Sequence, residues 1–284
     1  MVRLSIGSVW RMTADIVRRH FSTFTTLAAA FVFLPAVLGS AIFPHLGTLP
    51  MPLPGQPAPP FPGGLFLLLI GTTLIGLIGH FSIGAIAVDP AEGGGRSIGE
   101  IITVVLPKIG KGLLAGLYLV VAYVTIAFLL VILISILAGM FGAVSGSARM
   151  SVASARVAPP AELVALVGWL IAAIGLPLMI WMSARLLPLL GVLLREPLSA
   201  IDSIKRAWGL SRGSVMPIVG LLLIVGIASI LPSVILERLR QGFGIDRGVE
   251  LLLFTVGRCA LSALIAVYYY TAAAVTYRQL AEGS

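Results

Sequence analysis

Three side chains could do chemistry because each interrupts an apolar run: His80, Arg185 and Arg258. A guanidinium can hold a phosphate or carboxylate through paired, charge-assisted hydrogen bonds. An imidazole can carry a proton or bridge two helices. Arg258 falls well inside the last apolar run, where a charge is costly enough that it is expected to face a bundle interior or a wet cavity. There it either holds an anion, such as a lipid phosphate, or is structural, paired with a carbonyl or snorkelling. Arg185 lies close to the end of its run, where snorkelling explains it as well. His80 has no Asp or Glu deep within an apolar run to exchange a proton with, so a helix-to-helix contact is its stronger reading. These three residues are the candidate ligand contacts, with an anion or a lipid as the ligand.

Motifs that would point to catalysis are missing. The chain has no H-E-x-x-H, no G-x-S-x-G, no P-loop and no paired carboxylates inside an apolar run. Gly93-Gly94-Gly95 is not followed by Gly-Lys-Ser/Thr and reads as a turn. The histidines, His20, His45 and His80, fall on different segments, and the single cysteine, Cys259, permits no intrachain disulfide. The consecutive Tyr268, Tyr269 and Tyr270 point around a helix and are expected to pack, with lining a cavity as the alternative. The expectation is a protein that is not an enzyme, with no metal and no cofactor.

The elements that must position these residues are membrane helices. Only 11% of the 284 residues are charged and mean hydropathy is +1.08, against about 25% charged in soluble proteins. Six runs, near 22–43, 65–88, 113–142, 163–190, 214–236 and 251–276, exceed the roughly 20 residues that cross a bilayer as helix. They leave almost no room for a soluble domain, so residues 1–284 read as one integral membrane domain of all-α class. Arg18-Arg19 before the first run faintly matches a twin-arginine leader, but a retained first span is the better expectation. Gly112 with Gly116, at four-residue spacing, would let helices approach closely.

Three amphipathic segments precede pairs of spans. In 5–21, Ile6, Val9, Trp10, Thr13, Ile16, Val17 and Phe21 recur at helical spacing against Arg11, Asp15, Arg18 and Arg19. A second opens with the capping box Ser97-x-x-Glu100 and should kink or end at Pro107. The third, 197–211, places Pro197 in a first turn, pairs Ser199 with Asp202 as a cap variant, and sets Leu198, Ile201, Ile204, Ala207 and Trp208 against Asp202, Ser203, Lys205 and Arg206. Such helices are expected at the headgroup boundary, with Trp10, Arg18, Arg19, Lys205, Arg206, Trp208 and Arg212 touching the membrane surface; connector packing against other helices is the alternative. Ser5, Ser97 and Ser199 stand 92 and 102 residues apart, which divides the chain into repeat units 5–88, 97–190 and 199–279. Twelve cations fall on the side of the termini and five on the other, so both termini are expected to be cytoplasmic. The net charge of +8 is therefore read as facing lipid and not nucleic acid. The proline-rich stretch from Pro44 to Gly64 reads as an extended connector.

The runs Arg185-Leu186-Leu187-Pro188, Glu196-Pro197-Leu198-Ser199-Ala200-Ile201, Lys205-Arg206-Ala207-Trp208 and Leu210-Ser211-Arg212-Gly213, with the closing Tyr277-Arg278-Gln279-Leu280, resemble the bacterial membrane domain found with some glycerophosphoryl diester phosphodiesterases. That domain also occurs as stand-alone polytopic proteins of unknown function. The resemblance covers mainly the C-terminal half and departs at Ala207, where a serine is usual. It implies an all-helical bacterial inner-membrane protein. It does not carry phosphodiesterase activity, which resides in a separate soluble domain that this chain lacks. The expected function is to organise or bind membrane lipids or a membrane-protein partner; the alternative is a transporter with its site between the repeat units.

Overall fold

A computed structural model describes residues 4–42, 63–93, 95–144, 161–245 and 248–282. Pro44 to Pro62 of the proline-rich stretch, Arg149, Arg156 and Arg247 lie outside these residues. Every regular element described is a helix. They are α1 (Ile6–Arg19), α2 (Phe21–Ala28), a π-helical turn (Ala29–Phe33), α3 (Leu34–Ile42), α4 (Gly63–Val88), α5 (Pro90–Gly93), α6 (Ile98–Val144), α7 (Ala161–Leu186), α8 (Leu189–Arg195), α9 (Ala200–Leu210), α10 (Val215–Gly242) and α11 (Gly248–Glu282). Six helical stretches are long and apolar enough to cross a membrane. The chain is a polytopic all-α protein.

The amphipathic segments are built in three different ways. α1 buries Val9, Thr13, Ile16 and Val17 and packs on α11. Its apolar stripe therefore meets protein, while Trp10 and Met12 stay exposed. The second segment is not a separate helix. It forms the first turns of α6, which runs unbroken through Pro107 over its 47 residues, about 70 Å of helix. Pro107 is tolerated because its ring is exposed, while Ile101, Val105 and Ile109 keep a continuous buried face. The third segment begins later than expected. Pro197 lies ahead of α9, whose cap is Ser199, and the helix buries Ala200, Ser203, Ala207 and Leu210. Two expected caps form: the Ser97 amide donates to Glu100 Oε2 at 2.8 Å and the Glu100 amide to Ser97 Oγ at 3.3 Å, and the Asp202 amide donates to Ser199 Oγ at 3.2 Å. Ser5 flanks α1 without a side-chain cap bond.

α4 and α11 run against each other through the centre, with the π-helical turn of the first span beside both. Gly79 makes that approach possible: a Cβ there would stand 2.6 Å from Cβ of Phe31, inside the π turn. The chain's two ends meet, since Ser8 Oγ lies 3.2 Å from Gln279 Oε1 and 3.1 Å from Gln279 Nε2. This end of the bundle is called the terminal face below. α1, α8, α9 and the first turns of α6 gather there. The fourth span continues through a turn at Leu187 and Pro188 into the buried helix α8, as far as Arg195.

Gly191 of α8 sits against the ring of Tyr277, with no space for a methyl group. Gly191→Ala should therefore overpack this contact and cost about 1–3 kcal/mol. Gly110→Ala, on α6 with open space around it, should leave stability unchanged or raise it by up to about 1 kcal/mol. Thermal unfolding of the two variants in one detergent checks the contrast.

Candidate functional site

Arg185 sits in an aromatic cage. One helical turn of α7 places Trp181 and Arg185 on the same face, and α9 brings Trp208 to it. The guanidinium carbon is 5.3 Å from each indole centroid, and the two rings meet edge to face with centroids 5.2 Å apart. Nη1 also donates to the Trp208 carbonyl at 3.4 Å, which the Ser211 hydroxyl meets at 3.0 Å. Cation–π contacts contribute about 0.5–1 kcal/mol when exposed and about 2 when desolvated. Arg185 is thus a clasp between α7 and the surface helix α9, a closer role than snorkelling. Its Nε–H is buried with no partner among the described residues, so the cage keeps one donor unspent. Trp208, expected at the headgroups, turns its ring into this cage.

A second cluster escaped the sequence reading because its members come from distant parts of the chain. Lys108 of α6 donates its ammonium to the Leu194 carbonyl at the end of α8. Next to it, Arg195 pairs with Asp89 at 2.5 Å. Glu196 then accepts from the Tyr277 hydroxyl at 3.1 Å and pairs with Arg206 at 3.3 Å. Three consecutive residues therefore tie α8 to the end of α4, to α6, to α9 and to α11. Arg206, expected on the lipid, is held by this network. Only the adjacency of Arg195 and Glu196, two opposite charges between apolar stretches, signalled it in the sequence.

The three ligand candidates do not converge. His80 stacks on Tyr270 with centroids 4.0 Å apart, and Tyr270 meets Tyr269 edge to face at 5.1 Å. It serves as a packing contact between α4 and α11. Arg258 is exposed on the outer side of α11, within electrostatic range of Glu237, which itself pairs with Arg240 at 2.8 Å. It does not face the bundle interior. Of the expected surface contacts, Trp10 is exposed and stacks on Tyr268 at 6.1 Å. Arg18, Arg19, Lys205 and Arg212 are all exposed; Arg19 pairs with Asp15 at 2.8 Å and Lys205 with Asp202 at 3.6 Å.

An open crevice of about 270 Å³ lies between α6, α8 and α11, walled by Gly112, Gly116, Leu190, Leu193, Tyr269 and Tyr270 among others. Among the described residues, no group of three His, Cys, Asp or Glu side chains is arranged to hold a metal. Compared with family models, curated proteins and solved structures, the chain matches none.

The cage is open to a double-mutant test. Arg185→Leu and Trp208→Leu should each destabilise by about 1–2 kcal/mol, and the double variant by clearly less than their sum. Additive losses in unfolding would show that the two side chains act independently. A second expectation concerns Asp202, whose carboxyl the Ser199 hydroxyl, at 2.6 Å, and Lys205 hold below the usual aspartate range. A depressed folded-state pKa stabilises above the ordinary value of about 4 and is lost as pH falls through the lowered one. Carboxyl NMR titration should show the Asp202 midpoint rising toward the ordinary value in Ser199→Ala.

Proposed function

We propose that this chain is a non-enzymatic protein of the bacterial inner membrane, both termini cytoplasmic, that binds and organises anionic lipids, and through them membrane partners, on its terminal face. The observation that carries the reading is the charge of that face. Arg18, Lys111 and Arg212 are exposed there and form no ion pair among the described residues. On α1 and at the start of α2, near Arg18 in the chain, Trp10, Met12 and Phe21 are also exposed, at 40%, 37% and 59%. Cations beside apolar side chains suit a headgroup layer, where each cation contributes about 1 kcal/mol toward anionic lipid. The resemblance to the membrane domain associated with glycerophosphoryl diester phosphodiesterases is kept as part of this proposal. The second reading, a carrier for a small solute or lipid, draws support from the crevice, since α6 and α8 precede α9 while α11 closes the last repeat unit.

Native mass spectrometry of the protein released under mild conditions tests the first reading. Wild type should retain phosphatidylglycerol or cardiolipin over phosphatidylethanolamine, and the combined Arg18→Gln, Lys111→Gln, Arg212→Gln variant should lose that preference by about tenfold or more. Equal lipid complements in the two proteins would sink it. Flux across liposomes separates the carrier, which moves a solute or lipid, from an organiser, which moves nothing.

A further inference from the structure

The crevice between α6, α8 and α11 owes its shape to glycines that do different things. Gly112 is filled from the far side, because the Phe81 ring of α4 lies where a Cβ would stand. Gly116, one turn on, has nothing within 4 Å of such a Cβ. The small residues expected to bring helices together do so at Gly112, and at Gly116 leave a void. Around the void the wall is leucine, alanine and aromatic ring, and the polar side chains lining it are Ser183 and the phenols of Tyr123, Tyr269 and Tyr270. The lining runs along α6 from Gly112 to Tyr123, about 16 Å of helix. Along that length it is an open slot of about 270 Å³. Whole drug-sized ligands fill about 300–1,000 Å³.

Position and charge indicate what fills it. The slot opens beside the outward surface of α6, where Leu117, Val120, Val121 and Val124 are 57–63% exposed on a membrane-crossing helix. Lys111, an exposed cation, precedes Gly112 at one end of the lining on α6 and is not itself a lining residue. An apolar slot open to lipid, with a cation one residue beyond its lining on α6, complements an amphiphile carrying a phosphate. We infer that the crevice holds one acyl chain of a glycerophospholipid from the leaflet on the terminal side, with the lipid's phosphate at Lys111. The inference rests on the lipid-binding reading and names the site and the part of the lipid that enters it. Tyr270, braced by His80 at 4.0 Å, gives the slot a fixed wall.

The test uses the full chain in phosphatidylcholine nanodiscs doped with phosphatidylglycerol bearing a diazirine on one acyl chain. Irradiation should label the peptides spanning 112–123 and 183–193. Gly116→Leu, which fills the slot, should cut that labelling at least fivefold with unchanged melting, whereas Gly226→Leu, at an open position on α10, should not. Should Gly116→Leu fail to fold, Lys111→Gln, at an exposed position, should still lower crevice labelling two- to threefold. Labelling that persists in both variants overturns the inference, as does a crevice unlabelled in wild type because a second copy or another protein covers it. Crevice labelling that responds to Gly116→Leu alongside no headgroup preference by mass spectrometry supports the chain site and overturns the broader anionic-lipid reading instead.

Discussion

The structure depends on how the fourth span ends. Inside or near hydrocarbon, a helix that breaks leaves carbonyl groups that no water can satisfy. Here the break at Leu187 and Pro188 is followed by α8, and the Lys108 ammonium reaches its last turn at the Leu194 carbonyl. The charges that follow, Arg195 and Glu196, are held by Asp89, Tyr277 and Arg206. A buried ion pair alone adds little stability, since desolvation offsets its attraction. These pairs are only part-buried and are shared among four elements, so their effect is to fix where those elements meet. The Gly191 contact with Tyr277 lets α8 lie close enough for the network to form.

The Arg185 cage and the crevice along α6 are held by the same set of helices. The Arg185 cage draws α9 down onto α7, burying one face of the short helix and leaving Lys205 and Arg212 outward. Lys111 and the crevice lie along α6, which α8 and α9 also contact. Surface charge and crevice are thus attached to one framework, in which α8 touches both α6 and α9. The cations are presented by rigid, packed helices rather than by a loose basic tail.

How much of this could be read from the sequence depended on the range of the interaction. Apolar runs located the membrane-crossing helices, and local caps at Ser97 and Ser199 formed because a cap needs only residues three apart. Pro107 failed as a breaker because tertiary contacts on the opposite face outweigh local propensity. Trp208 was given to the headgroups because a periodic stripe says that a face is apolar and not what covers it; Trp181 and Arg185 cover it. The Glu196 and Tyr277 contact joins residues 81 positions apart, for which spacing offers no signal. The cost of burying charge pointed Arg258 inward, yet it lies outward near Glu237, because that cost is a penalty and not a direction.

The π-helical turn at Ala29–Phe33 gives the first span a tolerance that a plain α-helix lacks. Such a turn accommodates one residue beyond what an α-helix of the same height contains. Loss of one residue from 29–33 would return the turn to α geometry and leave the flanking helices in register, whereas the same loss in α4 would rotate every later side chain by about 100°. The contact of Phe31 with Gly79 would be given up, but the helix would still reach the far side. Length variation among related sequences is therefore best accommodated at this turn, and an alignment gap there would mark the presence or absence of the π geometry.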